Sequence, residues 1–446
     1  MSTPDTRSEH AEKVVSYIHE ETIADAPSNV SESVRRRVLD TIGAMVAGHR
    51  VERMDVSTDY AVDRFANGKS TLLDGSGRQL CLEGTTLANG LAANALDIDD
   101  GSRVAEGHPA ATVVPAALAA AEQEDVSIEE FLDGVLVGYE IGARTALTLK
   151  EWTGMYNGSG SWGAVGAAAA IARILDFDTE TTADALGIAE YNAPIAPVMR
   201  SVANPGSAFT KDGIGWGGYV GSMAAEVAKR GLGGSGLVFD EEDANPEPLD
   251  SLGDEYLVLE SYYKPYPACR WVHSSVDAAF ELRSEHEFDP EDIDAVRAYS
   301  HQKAIELTTK RPDNPDEAEY SYPYILAVAL LKNDWLVPAD LNEERRNDKA
   351  VRELIDKISL HQDEEAQDVY SEKSISRIEI DVNDQTYASE LTSPRGSRER
   401  PLTDDEYFEK QRVLIDSEWG DGTVESLYES LQDENGTVRD LLDIWR

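Results

Sequence analysis

Apolar positions recur every three to four residues near the start of the chain. In SESVRRRVLDTIGAMVAGH, residues 31–49, Val34, Val38, Ile42 and Val46 share one helical face, and Ser or Glu near its start can cap the helix. STLLDG and QLCLEG then read as short extended pieces joined by a glycine turn. Beyond them the pattern is helical again, in HPAATVVPAALAAAEQE, IEEFLDGVLVGYEIGARTALTL, WGAVGAAAAIARIL and GGYVGSMAAEVAKRG. These segments are rich in Ala and Gly, and small side chains let helices approach closely, so a tightly packed helical domain is expected. Pro109 falls in the first turn of its helix, where the missing N–H costs nothing.

The texture changes near residue 260. SYYKPYPACRWVHSSVDAAFEL is aromatic and proline-marked before it turns helical, and DIDAVRAYS suits a strand. ISRIEIDVNDQTYASEL alternates Ile378, Ile380 and Val382 with Glu379 and Asp381, a period-two strand followed by a turn. Helical texture returns after PRGSRERP, where Thr403 and Glu406 form a capping box, and TVRDLLDIWR predicts a final amphipathic helix. The expected fold is mainly α: a helical domain over 1–263, a smaller α+β domain over 264–392, and C-terminal helices, 393–446, that return to the first domain. A cleft between two such domains is a favoured place for a ligand. No internal repeat is present.

A length of 446 residues fits two or more domains, and 41% hydrophobic residues suffice to build their cores. The net charge of −45, from 85 acids against 40 bases, is spread from end to end, and lysine supplies the minority of the bases. An acidic, lysine-poor surface over an ordinary apolar interior points to adaptation to high salt, where the Debye length falls to about 3 Å at 1 M. Disorder would require low hydrophobicity, which is not the case here. Such a surface repels nucleic acid and anionic lipid. The two cysteines, Cys81 and Cys269, form no metal or redox motif. With a polar N-terminus and no run long enough to span a bilayer, a cytoplasmic setting is expected.

Two motifs mislead. GLGGSG at 231–236 matches a dinucleotide fingerprint but follows a helix, where the fingerprint must follow a strand. DIDD at 97–100 offers acids for a divalent ion, yet the glycine and closing glutamate of an EF-hand are missing, and no HExxH or Walker pattern occurs. No metal and no organic cofactor are expected.

The chemistry is sought instead among the eight histidines. Six lie in polar segments or at element ends and read as solvated or structural. His108 opens a helix just after the acid cluster, where the helix dipole is expected to lower an imidazole pKa and to favour an anion. His273 closes KPYPACRWVH, beside Lys264 and Arg270. Lys211, in SAFTKDGIGWGG, sits in a small-residue segment, away from an obvious surface helix face; for both lysines the alternative is a surface side chain with its stem laid along the protein. Gathered in one place, His108, His273, Lys211, Lys264 and Arg270, with Asp97 as orienting acid, would make a positive well in an acidic protein. Its natural ligand is a polyanionic acid.

DIDDGSRVAEGHPAATVVPAALAAAE, GYEIGAR, WGAVGAAAAIARIL, KPYPACRWVHSSVDA and YSYPYILAVALL occur in the order found in the MmgE/PrpD family, which the chain resembles from DTIGAMVAG to past residue 390. That family includes 2-methylcitrate dehydratase, cis-aconitate decarboxylase and iminodisuccinate epimerase. The resemblance implies a large all-helical domain with a smaller α+β lid domain, a homodimer, a small polycarboxylate as the substrate, and a reaction without metal or organic cofactor. It implies catalytic roles for Asp97, His108, Lys211, Lys264 and His273, and a Tyr324 that faces the site. Two positions depart from the pattern. Asn157 stands near where many members carry histidine, and is taken as a substrate contact with Arg270 and Tyr324. Gly101 stands where decarboxylase-like members place threonine, and both departures weaken a decarboxylase reading and leave the substrate open.

The expected activity is that of a hydro-lyase resembling 2-methylcitrate dehydratase. Lys211, Lys264 and Arg270 would hold carboxylates, while His108, oriented by Asp97, and His273 would exchange protons. Burial and neighbouring cations could equally make Lys211 or Lys264 the base. The alternatives are an isomerase, epimerase or decarboxylase on a related polycarboxylate, or a carboxylate-binding protein without activity.

Overall fold

The computed structural model describes residues 8–52, 54–195, 198, 211–332, 335–370, 372–433 and 435–446. Helix dominates, and the sheets are small. Long helices Ser28–Gly48, Leu82–Ala93, Pro109–Glu124, Ile128–Thr153, Ser159–Ile174 and Ile214–Ala228 pack on one another. Pro109–Glu124 and Ser159–Ile174 are buried on nearly all sides, which explains why their sequences lack a polar face. Their neighbours come close because side chains are missing at the crossings. A Cβ on Gly138 would stand 2.6 Å from the Gly166 carbonyl oxygen, so helices Ile128–Thr153 and Ser159–Ile174 meet backbone to backbone.

The anticipated extended pieces are shifted. The strand runs over Ala66–Thr71 and pairs with only Gln79–Leu80, because Leu82 already opens the next helix. GLGGSG continues past the end of helix Ile214–Ala228, and the Gly234 N–H donates to Asp184 at 2.8 Å.

After residue 290 a four-stranded sheet forms in the order Ile358–Gln362, Ile293–Ser300, Arg377–Val382, Gln385–Ala388. The first pair is parallel and the others antiparallel. Ile378, Ile380 and Val382 turn inward as their alternation requires, and helix His273–Glu285 packs on that face. On the other face Arg297 joins Glu379 at 2.8 Å and Asp381 at 2.6 Å across the strands.

Helix Asp404–Leu414 starts at the Thr403–Glu406 capping box and lies on helix Ser28–Gly48. The Tyr407 hydroxyl donates to the Arg36 carbonyl at 2.7 Å, and the Lys410 ammonium reaches Asp40 at 2.5 Å. The final segment is shorter than its apolar pattern suggests. Helix Val438–Leu441 gives way to the 3₁₀ turn Asp443–Trp445, whose Trp445 packs edge-on against Trp419. No described helix is long and apolar enough to cross a membrane.

Candidate active site

The acid cluster lies between helix Leu82–Ala93 and helix Pro109–Glu124, and each buried aspartate has its own task. Asp100 accepts the Ala110 N–H at 3.2 Å, satisfying a donor left free in the first turn of the helix, and takes the Tyr139 hydroxyl at 3.1 Å. Burial raises its carboxyl to about 6, and the nearby Asp99 adds to the effect. Asp99 accepts His108 Nδ1–H at 2.8 Å and the Asn94 amide at 2.8 Å. Asp97 receives the Lys264 ammonium at 2.7 Å. Its backbone sits in the left-handed region at φ 48°, a conformation that costs energy and gathers at functional sites.

His108 is the residue before the first turn of helix Pro109–Glu124. Its N–H donates to Ser159 Oγ at 2.9 Å, which ties it to the start of helix Ser159–Ile174. Gly107 permits this approach, since a Cβ there would lie 2.5 Å from Ser159 Oγ and 2.7 Å from the Trp162 ring. The His108 Nε2 atom stands 3.6 Å from Asp97, and Lys264 Nζ lies 3.3 Å from Nδ1.

These neighbours reverse the expected titration. Burial opposes charge on His108, but the Asp99 carboxylate outweighs it and raises the imidazole above its ordinary value. Asp99 in turn is held well below the usual carboxylate range: burial would raise it, and the charges of His108 and Lys264 override that. The orienting acid is therefore Asp99, where Asp97 was expected, and the resting His108 favours the imidazolium. A helix dipole acts over a turn and is weaker than a carboxylate at contact distance.

The lysines are corrected in the same way. Burial would lower Lys264, but Asp97 and Asp99 raise it above its ordinary value, which favours the ammonium. Lys211 opens the turn Lys211–Gly213 and bonds Glu319, with Asp316 at 3.6 Å and Asp97 also acting on it. Burial would lower Lys211 as well, and the facing carboxylates raise it. Glu319, wholly buried, is pushed well above the carboxylate range by burial. Two acids thus face the one ammonium of Lys211.

His273 does not join this network. Its Nε2–H donates to the Ala268 carbonyl at 2.9 Å, its ring lies 5.2 Å from that of Tyr266, and Nδ1 has no hydrogen-bond partner among the described residues. Burial first, then the Arg270 charge, push it well below the ordinary histidine value. It braces the 268–273 turn through the Ala268 carbonyl. Tyr324 donates its hydroxyl to the Asp340 carbonyl at 2.6 Å, away from the cluster. The Asn157 amide turns back to Thr153 at 3.1 Å and the Met155 carbonyl at 3.2 Å, closing the end of helix Ile128–Thr153. Both side chains are engaged in local structure, so neither amide N–H nor phenol proton is directed at the cluster. Arg270 bonds carbonyl groups at the edge of a separate cavity.

Several participants escaped the sequence reading. Asp99 was hidden by its neighbours, because three aspartates within four residues give no sign of which one faces His108. Glu319 looked like one more surface acid in an acidic chain. Buried Cys269 lies alongside, its N–H on the Glu319 carbonyl at 3.0 Å. Lys410, from the C-terminal helix, donates to the Ile98 carbonyl at 2.7 Å, between the two working aspartates.

Asp97, Asp99 and His108 place three ligand atoms within 4.8 Å of one another, the one such group among the described residues. The Lys264 ammonium stands among these atoms, and a divalent ion there would have to displace it. The donor set suits a fixed ammonium better than a metal.

The MmgE/PrpD N-terminal domain matches residues 12–245 and the MmgE/PrpD C-terminal domain matches 266–429. The chain belongs to the MmgE/PrpD family. The acid cluster, His108 and Lys211 lie in the first matched part, while Cys269 and Glu319 lie in the second; Lys264 is just before it. Among relatives, the human cis-aconitate decarboxylase is 26% identical over 441 residues, spanning 93% of this chain and 90% of that protein. The cis-aconitate decarboxylase-like protein oryM of Aspergillus oryzae (strain ATCC 42149 / RIB 40) is 24% identical over 445 residues, covering 91% and 90%.

Proposed function

We propose that this protein is a carbon–carbon lyase that decarboxylates a small unsaturated polycarboxylic acid of the cis-aconitate type. The observation that carries the reading is the contact of His108 Nδ1 with Asp99 at 2.8 Å, which favours the imidazolium, with Lys264 alongside. Decarboxylation needs a place for the electrons and a proton to finish, and it needs no base. Lys264 and Lys211 would hold substrate carboxylates. The bond to the departing carboxylate breaks, CO₂ leaves, and its electron pair passes into the adjacent unsaturated acid, whose growing negative charge the ammonium groups stabilise. His108 Nε2–H then delivers the proton to carbon and is reprotonated from solvent. The related decarboxylases, similar over nearly the whole chain, support the same direction.

The hydro-lyase expected from the sequence stands as the second reading, favoured by one observation. Asp97 lies 3.6 Å from His108 Nε2, so a carboxylate and an acid stand side by side, as removal of a proton and of a hydroxyl requires.

The test is turnover in molar KCl with EDTA, offering cis-aconitate and 2-methylcitrate in parallel. Release of CO₂ from cis-aconitate, lost in His108→Gln, is the expected result. Unsaturated-acid absorbance rising from 2-methylcitrate without CO₂ would replace the decarboxylase by the dehydratase. No change with either acid, in a folded sample, would refute both.

A further inference from the structure

The cavity at Arg270, of about 380 Å³, lies between the loop after the acid cluster and the segments 372–374 and 393–399. Four cations line it, Arg103, Arg270, Lys373 and Arg398, together with three acids, Glu260, Glu372 and Glu399. Two are neutralised nearby, Arg398 by Glu260 at 2.6 Å and Lys373 by Glu399 at 3.9 Å. The other two have no carboxylate partner among the described residues. Arg270 is buried, and its guanidinium meets only carbonyl oxygens, those of Arg395 at 2.8 Å, Tyr263 at 3.3 Å and Pro394 at 3.3 Å. Burial lowers it to about 10, the mark of a charge short of a counter-ion. Arg103 Nε reaches the Glu372 carbonyl at 3.4 Å, while its buried Nη2 has no hydrogen-bond partner among the described residues.

Tyr262 stands on the same wall. The Arg270 guanidinium lies 4.6 Å from its ring centroid. Its hydroxyl makes no hydrogen bond to a described residue, and Lys264, Arg270 and Arg103 all act on it. Gly101 makes room for the ring: a Cβ there would fall 2.2 Å from the ring carbon that carries the hydroxyl. The glycine and the tyrosine are thus one fitted pair at the edge of the cavity.

A buried guanidinium is costly unless a counter-ion meets it, and its planar fork matches a carboxylate with two parallel bonds. We propose that this cavity is a receptor for a carboxylate-bearing small anion, held by Arg103 and Arg270 with the Tyr262 hydroxyl as third donor. In a chain of net charge −45, two guanidinium groups without a carboxylate partner among the described residues, on one cavity wall, form the local exception that an anion would find. The anion is either the far end of the substrate or a separate effector. The inference holds whichever bond the reaction breaks.

Calorimetric titration of the whole protein with malonate, and separately with inorganic phosphate, tests the proposal at constant ionic strength. Saturable malonate binding is expected in the wild type and in His108→Gln, with dissociation constants equal within twofold. Arg103→Gln should weaken it at least tenfold, and Tyr262→Phe, which keeps the ring in place, by several-fold. Malonate binding that is absent from the wild type, unchanged in both cavity variants, or weaker than phosphate binding would overturn the proposal. Malonate that competes with substrate places the substrate's own carboxylate in the cavity, and malonate that changes kcat alone assigns it to an effector; either result upholds the receptor. Malonate binding that survives in His108→Gln while no acid is turned over would separate this inference from the decarboxylase reading.

Discussion

His108 Nδ1 meets Asp99 Oδ2 at 2.8 Å, although Asp97 is the aspartate that opens the cluster. That contact sets the charge of the imidazole and with it the direction of proton flow. Asp99→Asn preserves size and one acceptor but removes the negative charge. The His108 pKa is raised by Asp99, so it must fall in the variant. The protonated fraction near neutral pH drops, and activity should be lost at a lower pH than in the wild type. At pH 7.5, kcat should fall roughly 10²–10⁴-fold, the usual worth of a positioned general acid. A kcat–pH profile of both proteins checks this.

Asp100 carries a pH dependence of stability. Its folded value, about 6, lies above the ordinary 3.8 because burial disfavours the charge. A group raised in this way stabilises the fold while protonated and loses that contribution as pH rises from about 4 through 6. Asp99 has the opposite sign, because its folded value is depressed: its contribution is present above the ordinary value and is lost as pH falls. Asp100→Asn keeps an acceptor for the Ala110 N–H and can donate its amide N–H to the Tyr139 hydroxyl oxygen, so it should not lose stability over that window. Above pH 6 it should exceed the wild type by on the order of 1–3 kcal/mol, since one pKa unit corresponds to about 1.4 kcal/mol. Urea denaturation at pH 4.5 and 7.5 measures the difference.

Gly101→Thr should be poorly tolerated. Its Cβ would overlap the half-buried Tyr262 ring at 2.2 Å, and the paired strand that carries the ring cannot give way cheaply. A loss of about 1–3 kcal/mol is expected for such overpacking. Adding Tyr262→Ala removes the obstruction and should restore part of that loss, which Tyr262→Ala alone does not. Thermal unfolding of the three variants gives the coupling.

Lys410 links the C-terminal helix to the acid cluster through Asp40 and the Ile98 carbonyl. Lys410→Met leaves Asp40 buried with only Gln411 as donor, and should cost about 3–5 kcal/mol. The double change Lys410→Met, Asp40→Leu removes both charges and should recover most of the stability. It should still turn over slowly, with kcat reduced more than KM is raised, because the Ile98 carbonyl stays unheld. Equal recovery of stability and of kcat would show that Lys410 does not position the cluster.

Much of the helical part was legible. Val34, Val38, Ile42 and Val46 are all buried on one helix, and the Ala and Gly segments close as backbone contacts at Gly138 and Gly166. Strand Arg377–Val382 follows from its alternation. The site was legible as a set of residue types more than as a set of roles. Asp97, His108, Lys211 and Lys264 act on one another in the fold, whereas His273, Tyr324 and Asn157 are engaged elsewhere by a carbonyl or a helix end.

The sequence by itself determined the local elements, because period, caps and side-chain size act over a few residues. It also determined that acids and a histidine would stand at the start of a helix. Only the tertiary structure decided which acid serves which cation. The antiparallel ladder of Gly101–Ser102 with Ser261–Tyr262 carries Lys264 to Asp97 across 167 residues. Charge states are set at such contacts by distance and burial, and a linear chain specifies neither until it has folded.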